Sequence, residues 1–159
     1  MKVSKQNFIY TLSRIRHQAH SFLEEEMRRE GIGEIAPSFG DVFVIAAVKG
    51  PMPMKDIARH TYKDKSTITG AVKSLEKHGY LKRVKDPADG RASLVSPTAK
   101  ALKTMEKFRA ISAGMNGRLF AGLSDSELNA LFSMLEKISG NMKGPDGSGP
   151  GKKHTKSGG

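Results

Sequence analysis

The side chains best suited to a chemical task lie on one face of the segment 66–77. At about 100° per residue of a helix, this face carries small polar residues near its start and lysines further along. It consists of Ser66, Gly70, Lys73, Ser74 and Lys77, with Thr69 on its flank. Short hydroxyl side chains reach base edges in a major groove, and lysines meet phosphates. The face therefore favours contact with double-stranded DNA, although an ordinary solvated face has a similar composition.

A second cationic feature follows this face. Residues 80–85 and 91–95 have the pattern of two short strands, and the residues between them, Asp86-Pro-Ala-Asp-Gly90, are dense in turn formers. Lys85 and Arg91 flank the tip of this predicted hairpin. A cationic tip can enter a minor groove, whose negative potential attracts arginine. Helix, turn, helix and hairpin in this order predict a winged helix-turn-helix.

The apolar residues of the same segment predict how the polar face is positioned. Four of them recur at i, i+3, i+4 and i+7 opposite the polar face and should point into the core: Ile68, Ala71, Val72 and Leu75. A short helix begins at Met54, and a turn follows around residues 61–63. Either Asp64 or Ser66 can cap the helix that carries the polar face.

Helices with apolar stripes are predicted at both ends of the chain. The first stripe has spacings of four, three, four and three and comprises Phe8, Leu12, Ile15, Ala19 and Phe22. The helix that carries it should end at Gly31 to Gly33. The last helix begins at a capping box, Ser124 to Glu127. Its stripe is Leu128, Leu131, Phe132, Leu135, Ile138 and Met142. Packing against a second subunit is the simplest way to bury these stripes, and a monomeric helical bundle that buries them internally is the alternative.

Two more helices are expected between these. Pro37 and Ser38 open one that runs through Val48, and because residues 42–48 are apolar nearly all round, it should lie in the core. From Thr98 to about residue 120, apolar residues recur at helical spacing: Leu102, Met105, Phe108 and Leu119. Gly122 is the expected end of that helix.

Composition restricts the class of protein. The 159 residues suit one domain of ordinary size, and 27 Lys and Arg against 16 Asp and Glu give a net charge of +11, which favours an acidic partner. Because cysteine is absent, disulfides and thiolate metal sites are excluded. The longest apolar run, 42–48, is far shorter than the roughly 20 residues of a membrane helix, and residues 1–11 do not resemble a secretory signal. We expect a cytoplasmic protein without a membrane partner.

Catalytic and cofactor motifs are not found in the sequence. It contains no G-x-x-x-x-G-K-[ST] phosphate loop, and Gly31-Ile-Gly33 lacks the third glycine of a dinucleotide motif. His17 and His20 lie one turn apart, but a metal site needs three or four ligands. We expect no enzymatic activity, no metal and no cofactor.

The last residues differ in composition from the rest. Residues 144–159 contain only Gly, Pro, Asp, Ser, Lys, His and Thr, which predicts disorder. Their three lysines could form a weak electrostatic arm, and a solubilising end without a specific task is the simpler interpretation.

The winged segment also contains a recognisable series of motifs: Ser66-Thr-Ile-Thr69, Leu75-Glu76, His78-Gly-Tyr-Leu-Lys-Arg83, Asp86-Pro-Ala-Asp-Gly-Arg91 and Pro97-Thr98. This series resembles the MarR family of bacterial transcription regulators, and the likeness extends over most of residues 6–142. It implies an obligate, roughly triangular homodimer with intertwined termini and one winged domain per subunit.

The resemblance also implies roles for single residues. Ser66, Thr67, Thr69 and Lys73 would contact DNA from the recognition helix, and Arg91 would be the wing arginine, held by Asp89. Three positions depart from the family pattern. Gly70 stands where many members carry arginine or another long side chain, Gly90 replaces the first of two frequent arginines, and Pro97 replaces a strand leucine, which should shorten the second strand.

We therefore expect a mainly α (α+β) chain, a winged helix-turn-helix with N- and C-terminal dimerisation helices. The expected regions are a dimerisation helix in 1–36, the DNA-binding region in 37–98, dimerisation helices in 99–143 and a disordered tail in 144–159. The expected DNA-binding residues are Ser66, Thr67, Thr69, Lys73, Lys77, Lys85, Asp89 and Arg91. The expected function is that of a dimeric transcriptional regulator on a palindromic operator, a repressor or, less often in such families, an activator; the alternative is a winged-helix module that binds RNA or a protein partner.

The resemblance further implies a cavity between the dimerisation helices and the winged domain. Small, often aromatic, effectors bind there in the family and change the spacing of the two recognition helices. Candidates to line such a cavity in this chain are His17, His20, Phe43 and Ala47.

Overall fold

The computed structural model describes residues 5–142, which form two compact units that divide between Leu119 and Phe120. The prediction of disorder for 144–159 lies outside the described residues. The helices and strands are α1 (Phe8–Arg29), α2 (Gly40–Lys49), α3 (Met54–Thr61), α4 (Lys65–Lys77), β1 (Leu81–Lys85), β2 (Ser93–Pro97), α5 (Ala99–Leu119) and α6 (Asp125–Asn141). Short 3-10 turns, Lys5–Asn7 and Pro37–Phe39, precede α1 and α2. This arrangement confirms the mainly α winged helix-turn-helix fold.

The first helix ends where the glycines predicted its end. Gly31 has a φ of +71°, a left-handed conformation that glycine adopts without a steric penalty. Near this end Met27 is buried, whereas the predicted apolar stripe further back is only partly covered within the chain. Ile15, at the middle of that stripe, remains 40% exposed.

Helix α2 supplies the centre of the core, as its apolar run predicts. Val42, Phe43 and Ala46 are fully buried. The expectation of burial all round is wrong for Val48, which is 59% exposed. Val48 lies two residues beyond Ala46, and therefore roughly 200° further round the helix, so it points away from the buried side.

The winged domain packs against α2 and α5 through aromatic rings. The ring of Phe43 meets Tyr80 edge-on at 5.6 Å between centroids, and it meets Phe108 at 5.2 Å. All four apolar residues predicted for the inner face of α4 are buried: Ile68, Ala71, Val72 and Leu75. Burial of this face fixes the direction in which α4 presents its opposite face.

The wing is a two-stranded antiparallel hairpin with a register from Leu81 opposite Pro97 to Lys85 opposite Ser93. The second strand begins two residues later than predicted, because residues 91 and 92 belong to the turn: the N–H of Ala92 donates to the carbonyl of Asp89. A third segment joins the root of the wing, since Met52 and Val95 exchange both backbone hydrogen bonds.

The prediction that Pro97 shortens the second strand is wrong. Pro97 lies opposite Leu81, and the two residues form a pair without backbone hydrogen bonds between them. The hydrogen bond of the neighbouring pair runs from the N–H of Thr98 to the carbonyl of Tyr80. A proline at such a position removes no ladder bond. The strand therefore keeps its full length.

Helix α5 buries one face along its first half. Met105 and Phe108 lie on this face, as predicted. Leu102 and Leu119 are exposed, contrary to the prediction: Leu102 lies off the buried face, and Leu119 lies beyond Ile111, the last buried residue of α5.

Helix α6 belongs to the second unit and starts at the predicted capping box. The Ser124 side chain accepts from the backbone N–H of Glu127, and the Glu127 carboxylate accepts from the backbone N–H of Ser124. No residue of α6 is buried within the chain, and Phe132 is 52% exposed. Along residues 5–142, no helix combines the length and the apolar character that a bilayer crossing requires.

Candidate nucleic-acid interface

The start of α4 is fixed by Asp64. Its carboxylate accepts a hydrogen bond of 2.8 Å from the backbone N–H of Thr67, so Asp64, and not Ser66, is the cap. The preceding helix, α3, ends at Thr61 and is followed by Tyr62, whose φ of +54° turns the chain sharply into α4. The tight turn predicted around 61–63 is confirmed.

The polar residues of α4 share the face opposite the core. Ser66, Gly70, Lys73 and Lys77 are exposed, while Thr67, Thr69 and Ser74 are half-buried. The structure thus gathers the predicted recognition residues on a single surface of α4. An added Cβ at Gly70 would meet no other atom within 4 Å, so the surface is open at this position.

The hydroxyl groups at the start of α4 donate to acceptors of the protein itself. Ser66 Oγ donates to Asp64 Oδ1 at 2.5 Å, and Thr67 Oγ1 donates to Asp64 Oδ2 at 2.7 Å. Thr69 Oγ1 donates to the carbonyl of Lys65 at 2.8 Å. The hydrogen bond from the Ser66 hydroxyl, followed by those from Thr67, holds the pKa of Asp64 far below its ordinary value, so Asp64 is a carboxylate at neutral pH.

The tip of the wing is shaped by two aspartates. Asp86 Oδ1 accepts from the backbone N–H of Ala88 at 2.9 Å, and Asp89 Oδ1 accepts from the backbone N–H of Arg91 at 3.0 Å. The link between Asp89 and Arg91 that the family likeness implies therefore runs to the backbone. Among the ion pairs between residues 5 and 142, none joins Asp89 to the Arg91 guanidinium. The carboxylate orders the turn and leaves the guanidinium at the surface.

The cations of the winged segment fall into two groups. Arg83 is paired with Glu76 at 3.1 Å, and Lys63 is paired with Asp41 of α2. Four predicted DNA contacts are exposed and form no ion pair within the described part of the chain: Lys73, Lys77, Lys85 and Arg91. Residues 54–91 hold +5 of the net charge of +11. The unpaired cations of this segment can attract phosphate groups.

Two features of this surface were not predicted from the sequence. Tyr62 is 97% exposed beside the start of α4, and no pattern in the sequence distinguishes it from other turn residues. Asp64 was predicted only as a candidate cap, and its contacts with two hydroxyls were missed. The spacing Asp64-Lys-Ser-Thr67 carries that signal, because a capping carboxylate lies close to side chains two and three residues ahead.

A polar network fastens the wing to the helices behind it. Tyr80 Oη donates to Glu34 Oε1 at 2.8 Å, and Lys100 Nζ donates to the same oxygen at 3.1 Å. Lys100 also lies 4.1 Å from the centre of the Tyr80 ring and donates to the carbonyl of His78. A backbone hydrogen bond, with further ones from Tyr80 and Lys100, lowers the pKa of Glu34, while burial and the bond to Glu34 raise the pKa of Tyr80.

Of the four candidate effector residues, one lines a groove on the surface of the described residues. A groove of about 680 Å³ between α1 and α5 is lined by Ile15, His17, Gln18, Ala19, Ser21, Phe22, Glu25, Met115, Arg118 and Leu119. His17 lines it and His20 does not. Phe43 is fully buried in the aromatic core and does not line this groove, and Ala47 is a half-buried residue of α2. Within residues 5–142 no three His, Cys, Asp or Glu side chains gather as a metal site would require.

Two relatives resemble this chain in sequence. The HTH-type transcriptional regulator BilQ of Clostridium symbiosum is 26% identical over 136 residues, which cover 84% of this chain and 91% of BilQ. The HTH-type transcriptional repressor IacR of Pseudomonas putida is 28% identical over 59% of this chain and 56% of IacR.

Solved structures share the fold. A probable transcriptional regulator from Pseudomonas aeruginosa has a TM-score of 0.73 at 27% identity and covers 82% of this chain and 96% of its own. S. aureus MepR in a DNA complex has a TM-score of 0.75 at 20% identity, with 84% and 97% covered. CouR of Rhodococcus jostii RHA1 bound to p-coumaroyl-CoA has a TM-score of 0.72 at 23% identity, with 87% and 96% covered.

The model of the MarR family matches residues 41–93, from α2 to the first residue of β2. The winged segment of the chain matches the MarR family. The predicted resemblance is confirmed, and the family match together with the similar transcriptional regulators supports a DNA-binding transcriptional regulator of the MarR family. The matched MarR region contains the whole of α4, the first wing strand and the tip, which are the elements that carry the predicted DNA contacts.

Proposed function

We propose that this MarR-family chain is a homodimeric repressor that binds a palindromic operator through α4 and the wing. The observation that supports this proposal is that the small polar face of α4 and the unpaired cations of the wing lie in the same winged domain. The repressor IacR, at 28% identity, supports repression as the direction of control. The proposal needs no catalytic step, metal or cofactor, and it places the protein in the cytoplasm.

In this proposal residues 37–98 are the DNA-binding region. Ser66, Thr67 and Thr69 meet base edges in the major groove, since they lie in the first turns of α4. Lys73 and Lys77 follow on the same face and meet phosphates.

The wing completes the contact. Lys85 and Arg91 flank the tip, and Arg91 enters the minor groove. Asp89 acts indirectly, because it accepts from the backbone N–H of Arg91 and so shapes the turn that carries the arginine.

The proposed dimer rests on apolar side chains that the chain leaves uncovered at both ends. Ile9 and Ile15 of α1 are exposed, as are Phe132, Ile138 and Met142 near the C-terminus. A twofold interface between two copies would cover these side chains and place two winged domains on one duplex. The recognition helices would then meet successive major grooves about 34 to 36 Å apart.

We also propose that a small aromatic effector releases the DNA. The structure of CouR with p-coumaroyl-CoA supports a ligand of this kind, and the groove between α1 and α5 offers a surface of suitable size. In this groove Phe22 presents an aromatic ring and Arg118 lies 5.6 Å from its centre, so an aromatic anion would find both a stacking surface and a counter-charge.

Selection of bound sequences from a random duplex pool tests the core of the proposal. We expect enrichment of an inverted repeat with half-sites one helical turn apart. The control is Lys73→Ala/Arg91→Ala, which should retain little duplex although the fold is kept. No enrichment by the native protein would contradict the proposal and favour a winged module that binds RNA or a protein partner.

A further inference from the structure

The hydroxyl groups of Ser66 and Thr67 each have a fixed hydrogen-bonding direction. Both donate to Asp64, at 2.5 and 2.7 Å. An ionised carboxylate can only accept hydrogen bonds, so the proton of each hydroxyl must point toward Asp64. Toward solvent each hydroxyl therefore offers lone pairs alone. Thr69 behaves in the same way, because its acceptor, the carbonyl of Lys65, also cannot donate.

This arrangement removes an ambiguity that serine and threonine normally have. A hydroxyl in a major groove can donate to an acceptor or accept from a donor, and so suits several base edges. To donate to a base, Ser66 or Thr67 would have to give up a charge-assisted bond to a carboxylate and gain a neutral one, which is roughly half as strong. Accepting from a base leaves the bonds to Asp64 intact. The balance favours acceptance.

We infer that Asp64 is a positioning residue that sets base specificity: it turns Ser66 and Thr67 into acceptors that select the exocyclic amino groups of adenine or cytosine. The inference rests on the proposed insertion of α4 into a major groove. In that groove the amino groups of adenine N6 and cytosine N4 are the donors, whereas guanine N7 and O6, adenine N7 and thymine O4 are acceptors. Phosphate oxygens are acceptors as well, so Ser66 and Thr67 read bases and leave the backbone to the lysines.

Removal of single groups from the operator tests this assignment. In the selected duplex, adenine is replaced by purine and cytosine by pyrimidin-2-one, which lack the amino group, or purines are replaced by 7-deaza analogues, which lack N7. Each duplex is titrated against the native protein, Ser66→Ala and Thr67→Val. We expect loss of one amino group to weaken native binding about threefold to tenfold, as for one hydrogen bond, and to have little effect on the matching variant. Replacement by the 7-deaza analogues should change the affinity of the native protein and of the two hydroxyl variants by the same factor.

Asp64→Ser tests the role of the carboxylate itself. Serine still caps a helix, so α4 should persist, but it offers one oxygen in place of two and releases a hydroxyl. In Asp64→Ser, we expect the affinity to depend less on the amino groups that the hydroxyls contact. We expect it to depend instead on N7 of a purine. The matched control is Asp125→Ser, which removes the same charge from the exposed start of α6, outside the winged segment, and should leave both couplings unchanged. Circular dichroism checks that each variant keeps its helices.

The outcomes separate this inference from the proposed function. If no duplex is retained, both fail. If an operator is bound but the hydroxyls couple to N7, or to none of the groups removed, the inference alone is overturned. Unchanged couplings in Asp64→Ser would likewise overturn the role of Asp64.

Discussion

The Tyr80 hydroxyl donates a hydrogen bond of 2.8 Å to Glu34 Oε1 and so joins the root of the wing to the segment between α1 and α2. Tyr80 is fully buried, and its ring packs against Phe43 in the core. Lys100, at the start of α5, donates to the same carboxylate oxygen. One carboxylate therefore ties together three parts of the chain that lie far apart in sequence.

The pKa of Glu34 is lowered in the folded protein, which predicts a dependence of stability on pH. A group with a lowered folded pKa stabilises the fold above its unfolded pKa, ordinarily 4.5 for glutamate, and loses this contribution as the pH falls through the folded value. We expect Glu34→Gln to reduce the free energy of unfolding by about 1 kcal/mol at pH 7 and by less at pH 3. Urea unfolding at fixed protein concentration measures the difference. Glu106→Gln, on the exposed side of α5, is the control, and an equal deficit for Glu34→Gln at both pH values would contradict the assignment.

Gly70 and Gly40 should respond to alanine with opposite signs. Gly70 lies in α4 with open space around its Cα, so Gly70→Ala should raise the free energy of unfolding by about 0.5 to 1 kcal/mol through helix propensity. At Gly40 an added Cβ would lie 2.8 Å from Phe108 Cζ, so Gly40→Ala should destabilise the fold by about 1 to 3 kcal/mol. Thermal or urea unfolding measures both. A loss of stability in Gly70→Ala would show that its neighbourhood is closed.

Arg91→Ala should weaken operator binding by about 1 to 3 kcal/mol without disturbing the wing. The turn is preserved because Asp89 accepts from the backbone N–H of residue 91, which alanine also has. Fluorescence anisotropy with a labelled operator measures the affinity. Arg14→Ala removes the same charge from α1, outside the winged segment, and should bind as the native protein does. Native affinity in Arg91→Ala would remove the wing arginine from the interface.

Lys73→Ala should weaken binding to all duplexes by a similar factor. If Lys73 neutralises one phosphate, its loss reduces the slope of log affinity against log salt concentration by about one unit. Titrations at several salt concentrations, on the operator and on a scrambled duplex, measure this slope. Selective loss of affinity for the operator would instead make Lys73 a reader of bases.

Phe132→Glu should dissociate the proposed dimer. Burial of one such ring contributes about 2 kcal/mol, and a symmetric interface contains the substitution twice, so the dissociation constant should rise several hundredfold or more. Sedimentation equilibrium measures it. Ser133→Glu places the same charge on the neighbouring, polar position of α6 and should leave the dimer intact. Equal effects of the two substitutions would point to net charge as the cause.

The sequence predicted those features that depend on neighbours along the chain. The inner face of α4 and the capping box at Ser124 follow from local periodicity and local hydrogen bonds, and both are confirmed. The exposure of Val48 and Leu102 could not be predicted in this way, because a periodic pattern does not say which neighbouring element covers a residue. The start of β2 depends on pairing between the two strands of the hairpin. This pairing makes the turn two residues longer than its composition indicated.

The candidate site shows the same division. Residue types and spacing gathered Ser66, Thr69 and Lys73 on one face, and the structure places them there. The hydrogen bonds of Asp64 and Asp89 required coordinates, because each carboxylate chooses among several donors within reach. The sequence predicts which carboxylates are important, but it does not predict which donor each of them accepts from.

Because of the two backbone hydrogen bonds between Met52 and Val95, the root and the tip of the wing are held in different ways. At the root of the wing, β2 lies between β1 and the segment of Met52 and is hydrogen-bonded to both. Within the described part of the chain, the hydrogen bonds of the tip run between residues 86 and 92, such as Ala88 to Asp86 and Ala92 to Asp89. In the proposed complex, Arg91 would therefore be able to follow grooves of different width while α4 keeps its register on the bases.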